Sequence, residues 1–285
     1  MKHLISVDDL AKNDVTKIFR LTDRLKNKKK SLLKNKILAM VFEKPSTRTR
    51  VSFEVAMEHL GGHAINLSHS ETQLAREESI ADTARVLSRY VDAVMARVYE
   101  HKTVAELARY SSVPVINGLS DAEHPCQALA DAYTISKKKG LRGKIVFLGD
   151  CANNTFASLI MICEMFGMSI VASCPDAYKP IIKGNYKIIE NPAEAVKGAD
   201  ILYTDTFVSM GEEAEKKKRL YDLKEYQLNA ALVKAAGNPI VMHPLPAHRG
   251  VEITDDVIDG KKSVVFEQAE NRLHVQKAIL YLLLK

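Results

Sequence analysis

Short runs of almost uninterrupted apolar residues, separated by stretches with helical spacing, set the strongest limit on how this chain can fold. They are ILAMVF (37–42), AVMARV (93–98), VPVI (113–116), KIVFLG (144–149), SIVAS (169–173), DILYT (200–204) and PIVMH (239–243). A strand with one wet face alternates apolar and polar residues, whereas a strand covered on both faces is apolar throughout. Recurring between amphipathic segments, such runs predict an α/β architecture with parallel sheets. At 285 residues the chain exceeds what a single core usually serves, so two domains are expected. A break falls naturally at KKKGLRG (137–143), between a helical segment ending near Ile135 and the strand KIVFLG. Leu273, Val275, Ala278, Ile279 and Leu282 predict a last helix over 271–284, with a spacing that suits packing on either domain.

Charge and cysteine content narrow the function classes. The excess of 41 basic over 35 acidic side chains, +6, is common in plain enzymes. The basic runs 28–30 and 216–219 lack interleaved aromatics, so they predict solvated faces and no nucleic-acid interface. Cys126, Cys151, Cys163 and Cys174 form no CxxC pair and no disulfide framework, which suits a reducing, cytoplasmic setting. The opening stretch MKHLISVDDLAKND reads as neither signal peptide nor membrane span, and no other stretch is apolar enough to cross a bilayer.

The segment FEKPSTRTRVSFEVAMEHLGG follows a predicted strand and enters a helix with Phe53, Met57 and Leu60 on one face. Ser46 or Thr47 is the expected N-cap. Hydroxyls of Ser46, Thr47 and Thr49 and guanidinium groups of Arg48 and Arg50 crowd the turn where unpaired N–H groups and the positive dipole end favour a phosphate dianion. A capped surface helix with incidental arginines is the blander explanation. DAEHPCQALAD carries His124 and Gln127; a His before Pro in a loop is usually structural. Asn153 and Asn154 follow the strand KIVFLG, where α/β sheets bind ligands, although an Asn pair there also simply caps helices.

Together these motifs resemble the aspartate/ornithine carbamoyltransferase family over nearly the whole chain. Ser46, Thr47, Arg48, Thr49 and Arg50 match its STRTR signature, 124–131 its HPxQxLxD motif, and 205–211 the DxxxSMG signature of its ornithine branch. The resemblance implies two Rossmann-like domains with parallel sheets and an active site in the cleft between them. It assigns carbamoyl phosphate to a domain over 1–136, with a C-terminal helix 271–285 packing back on it, and L-ornithine to a domain over 137–270. By resemblance Ser46, Thr47, Arg48 and Thr49 hold carbamoyl phosphate, with Gln73 contributed from a neighbouring subunit of a trimer or larger assembly. Arg97, His124 and Arg272 act on the carbonyl, Gln127 holds the carbamoyl amide, and Pro244 and the Leu245 carbonyl complete that site. Donors preorganised at an oxygen that gains negative charge are often the largest catalytic contribution. Asp205 faces the amines of ornithine, with Asn154, Ser209 and Met210 at its amino-acid end. An aspartate substrate would call for basic residues there instead.

The implied reaction gives citrulline and phosphate with no metal and no cofactor. Three departures accompany it. Residues 75–78 read Ala-Arg-Glu-Glu where relatives read GRGE. Pro244 stands where ornithine enzymes carry a cysteine, and it offers neither thiol nor backbone N–H. The segment 174–190 is shorter than in typical ornithine enzymes, as though a helix had been trimmed. Pro244 keeps open a different acceptor, namely putrescine, N-acetylornithine or aspartate; a non-catalytic ligand-binding relative is the other alternative.

Overall fold

A computed structural model of the protein describes residues 1–68, 78–209 and 211–285. The chain divides into two compact units, Met1–Tyr133 with Glu270–Lys285, and Thr134–Ala269. The first unit holds α1 (Lys12–Leu25), β1 (Ile37–Phe42), α2 (Thr47–Leu60), β2 (His63–Ser68), α3 (Ile80–Tyr90), β3 (Ala93–Arg97), α4 (His101–Tyr110) and β4 (Val115–Leu119). Helix α5 (Pro125–Lys138) crosses from it into the second unit. There follow β5 (Lys144–Leu148), α6 (Asn154–Phe166), β6 (Ser169–Ser173), β7 (Lys187–Ile188), α7 (Pro192–Ala195), β8 (Ile201–Thr204), α8 (Lys216–Leu223), α9 (Ala230–Ala236), β9 (Ile240–Met242) and α10 (Asp255–Ile258). The last helix, α11 (Val265–Leu284), crosses back.

Each unit is built on a parallel sheet, ordered β2-β1-β3-β4 in the first and β7-β6-β5-β8-β9 in the second. The apolar runs form its strands because alternate residues feed different cores. Ile145 and Phe147 of β5 enter one cluster with Phe156, Ile201 and Tyr203. Val146 and Leu148 enter another with Leu202, Val241 and Ile253. The Phe147 ring lies 4.5 Å from that of Phe156 and 5.2 Å from that of Tyr203, and truncating such a ring to Ala typically removes about 3–5 kcal/mol.

The sheet orders decide where ligands can sit. In the first sheet the chain leaves β1 for β2 on one side and returns to β3 on the other; in the second, β5 leads to β6 on one side and β8 on the other. Such switch points leave a crevice beyond the strand ends. Phe42 pairs with Arg97 at the ends of β1 and β3, and Leu148 pairs with Thr204 at the ends of β5 and β8. The segments 43–50, 149–154 and 205–209 therefore leave the sheets at switch points. Gly149 makes its exit possible: φ is +109°, and a Cβ there would lie 2.6 Å from the Phe207 ring.

Several expectations need correcting. Helix α5 runs to Lys138 rather than ending near Ile135. Helix α11 starts at Val265 rather than 271, because Val265 and Gln268 are buried one turn earlier. Strands β2 and β7 have no counterpart among the predicted strands. The connection between β6 and β7 contains one 3-10 turn, Asp176–Tyr178. Among the described residues no helix is long and apolar enough to cross a membrane.

Candidate active site

In the first unit a cationic cluster forms at the start of α2. Ser46 is the N-cap: its backbone is extended and its Oγ accepts the Thr49 N–H at 3.3 Å. Thr49 is buried within the first turn, and its Oγ1 is the meeting point of two distant arginines. Arg272 Nη2 of α11 donates to it at 2.8 Å and Arg97 Nη1 of β3 at 3.5 Å. Burial lowers the Arg97 guanidinium to about 10, with the charges of Arg272 and Arg48 adding to the effect. Arg48 is lowered by burial as well. Buried cations that destabilise one another gain when a dianion joins them. Arg50 does not join this cluster; it is exposed and its Nε donates to Glu54 Oε1 at 2.9 Å. Thr47 is exposed at the first helical position, where backbone N–H groups lack helical acceptors.

His124 and Gln127 stand at the start of α5, one turn apart, and both are buried. Burial first, then the charges of Arg272 and Arg97, hold the His124 imidazole well below its ordinary pKa, so it is neutral near pH 7. It can therefore donate one hydrogen bond without adding charge. Gln127 Nε2 donates to Asp131 Oδ1 at 2.9 Å.

In the second unit, Asn153 is the N-cap of α6, its Oδ1 accepting the Phe156 N–H at 2.8 Å. That is the capping role, and it falls to Asn153 and not to Asn154, whose Oδ1 accepts from Thr155 Oγ1 at 3.4 Å. Asp205 follows β8, and its Oδ1 accepts the Thr206 N–H at 2.7 Å. The residue is half-buried. Desolvation pushes its pKa up, opposed by His243, Thr206 and Thr155 and assisted by Glu252.

The turn after β9 is held by a buried pair. His243 Nδ1 accepts the Leu245 N–H at 2.9 Å, leaving Nε2 to donate to Glu252 Oε1 at 3.2 Å. Leu245 has φ +55°, in the left-handed region that non-glycine residues rarely adopt, and Pro244 beside it is buried. The loop after Asp205 is tied down by Arg219 of α8. Its Nη1 donates to Asp150 Oδ2 at 2.8 Å and its Nη2 to Glu212 Oε1 at 2.6 Å, while Glu212 Oε2 accepts the Ser209 N–H at 2.8 Å. Gln73 and Met210 lie outside the described residues.

These two assemblies can be compared with known proteins. Residues 2–137 match the domain described as "Aspartate/ornithine carbamoyltransferase, carbamoyl-P binding domain", and residues 142–283 match "Aspartate/ornithine carbamoyltransferase, Asp/Orn binding domain". The chain belongs to the aspartate/ornithine carbamoyltransferase family. An ornithine carbamoyltransferase of Archaeoglobus fulgidus is 52% identical over 301 aligned positions, covering 100% of this chain and 98% of that protein. The solved ornithine carbamoyltransferase from Pyrococcus furiosus superposes with a TM-score of 0.95 at 50% identity, covering 99% of this chain and 97% of that one. The enzyme of that name from Thermus thermophilus gives 0.93 at 38% identity, covering 100% and 99%.

Within this family frame, sequence reasoning had named Thr49, Arg97, His124 and Arg272, and the fold brings these together. It had passed over Asp131, Thr155, His243, Glu252 and Arg219. The Gln127–Asp131 spacing of four on a helix was a usable signal. Arg219, 69 residues from Asp150, offered none. Among the described residues no group of three or more His, Cys, Asp and Glu side chains is placed to hold a metal ion.

Proposed function

We propose that this protein transfers the carbamoyl group of carbamoyl phosphate to the side-chain amine of L-ornithine, giving L-citrulline and phosphate. The observation that carries the proposal is the convergence of Arg97 and Arg272 on Thr49 at the first turn of α2. A helix N-terminus ringed by buried guanidinium groups suits a phosphate dianion. Ser46, Thr47, Arg48 and Thr49 hold the phosphate, and Gln73 of a neighbouring subunit adds to them. The ornithine amine attacks the carbonyl carbon, the new C–N bond forms, and the C–O bond to phosphate breaks with its electron pair leaving on phosphate.

Arg97, Arg272 and neutral His124 donate to the carbonyl oxygen as it gains charge, and Gln127 with the Leu245 carbonyl, beside Pro244, holds the carbamoyl amide. Asp205 orients the attacking amine, which must shed a proton; Asn154, Ser209 and Met210 hold the amino-acid end. An acid at Asp205 matches a diamino acid and repels an aspartate substrate. The transfer requires no metal and no organic cofactor.

The protein is further proposed to work as a homotrimer or an assembly of trimers in the cytoplasm. Exposed Ile65, Val86 and Tyr90 of the first unit support association, and four buried free thiols suit a reducing compartment. Light scattering that gives a monomer in solution would remove the trimer.

The test is citrulline formation by the purified protein from carbamoyl phosphate and L-ornithine, with putrescine, N-acetylornithine and aspartate in parallel. Ornithine is expected to be strongly preferred. Preference for another acceptor would transfer the activity to that substrate and give Pro244 a role in selecting it. No turnover with any acceptor would end the enzymatic reading.

A further inference from the structure

Gln127 and Asp131 lie one turn apart on α5 and are 1% and 0% exposed. A carboxylate only accepts hydrogen bonds, whereas an amide has one donating end and one accepting end. The bond from Gln127 Nε2 to Asp131 Oδ1 therefore determines which way the amide faces. Its other end, Oε1, is buried and meets no donor among the described residues. A buried acceptor without a donor is unfavourable, and a chain retains one where a ligand supplies the donor. Gln127 stands one turn beyond His124, its N–H donating to the His124 carbonyl at 3.0 Å, and His124 feels the charges of Arg272 and Arg97, so Gln127 follows directly on the residue that adjoins the cationic cluster.

We infer that Asp131 is a positioning residue: it fixes the Gln127 amide with its oxygen presented, so the site takes an acyl phosphate bearing N–H donors and rejects one without them. The inference rests on the proposed binding of carbamoyl phosphate and deepens it. Carbamoyl and acetyl phosphate share shape and phosphate and differ in NH2 against CH3. Only the former can donate to Oε1. A site whose buried polar group needs a donor discriminates against the analogue that lacks one.

The test is the ratio of carbamoyl to acetyl phosphate affinity, taken from equilibrium binding to the full-length protein. The wild type should favour carbamoyl phosphate by about tenfold or more, the worth of one buried hydrogen bond. In Asp131→Asn the new amide can donate to Gln127 Oε1, which lets Gln127 turn its own NH2 towards the ligand, so the ratio should fall towards one. In the double variant Gln127→Glu, Asp131→Asn the hydrogen bond is kept with roles exchanged. The amide introduced at position 131 then donates to one oxygen of the carboxylate introduced at position 127, and the other oxygen accepts from the ligand. The ratio should therefore recover even if the moved charge weakens both ligands together.

A purely structural Asp131 would lower both affinities alike. An unchanged ratio in Asp131→Asn overturns the inference, as does failure of the double variant to restore it. Should Asp131→Asn not fold, the double variant carries the test alone: a wild-type ratio supports the inference and a ratio near one overturns it. A wild type that binds neither acyl phosphate overturns the proposed function itself, which is a distinct outcome.

Discussion

Acidification should weaken this protein in a way that one substitution can isolate. His124 is 4% exposed, and burial, Arg272 and Arg97 all hold its pKa well below 6.5. In the unfolded chain it regains an ordinary value. Between the two values the unfolded chain binds more protons than the folded one, so stability is lost as pH falls below about 6.5. For a group that stays neutral when folded, lowering the pH from about 7 to about 5.5 removes about 1.3 kcal/mol of stability, the difference in RT ln(1 + 10^(pKa − pH)) for the unfolded imidazole. His124→Asn has no such proton to lose. Urea unfolding of both proteins at the two pH values should show the wild type losing about 1.3 kcal/mol more than the variant. His3, His59 and His274 are also lowered by burial, but they are present in both proteins and cancel in the comparison. Equal losses would refute the reasoning, since His124 would then protonate when folded despite the two neighbouring cations. NMR of the imidazole gives a direct check: its signals should not titrate between about pH 7 and about pH 5.5.

Three other perturbations test separate parts of the structure. Arg219→Met releases Glu212 and Asp150 and so the loop at Ser209; the KM for ornithine should rise about tenfold while carbamoyl phosphate binding holds, and an unchanged ornithine KM would detach Arg219 from that site. Buried Lys277 of α11 donates to the Leu25 and Lys28 carbonyls at 2.6 and 2.8 Å, closing the end of α1 and the chain beyond it, so Lys277→Met should destabilise by about 2–4 kcal/mol in denaturant titrations. No change would mean that those carbonyls need no buried donor. Gln276 is fully buried with neither amide atom hydrogen-bonded among the described residues, so Gln276→Leu should raise stability by about 1 kcal/mol; a lower melting temperature would show that the amide has a partner.

Legibility followed sheet position. The runs that became β1, β3, β5, β6, β8 and β9 stood out because both of their faces are covered, which forces an apolar sequence. Strand β2 lies at a sheet edge with His63 and Ile65 exposed, so its sequence HAINLS carries no such pattern. Strand β7 is two exposed residues whose pairing comes entirely from its neighbour β6. In the site, Ser46 could be found as a cap because capping is decided within four residues. Arg50 crowds the same turn in sequence but was left out of the phosphate-holding set by the resemblance, and the nearby carboxylate of Glu54 holds it outward.

The parallel α/β class, a helix start at Ser46 or Thr47 and the residue types able to hold an anion were all legible in the amino-acid order alone. Each depends on interactions within a few positions, or on a periodicity that burial imposes locally. Only the tertiary structure decided that Arg272 meets Thr49 across 223 residues, that Arg219 binds Asp150, and that His124 is neutral. Those outcomes depend on which distant groups share one low-dielectric space, and a pKa or an ion pair is a property of that space and not of the residue that carries it.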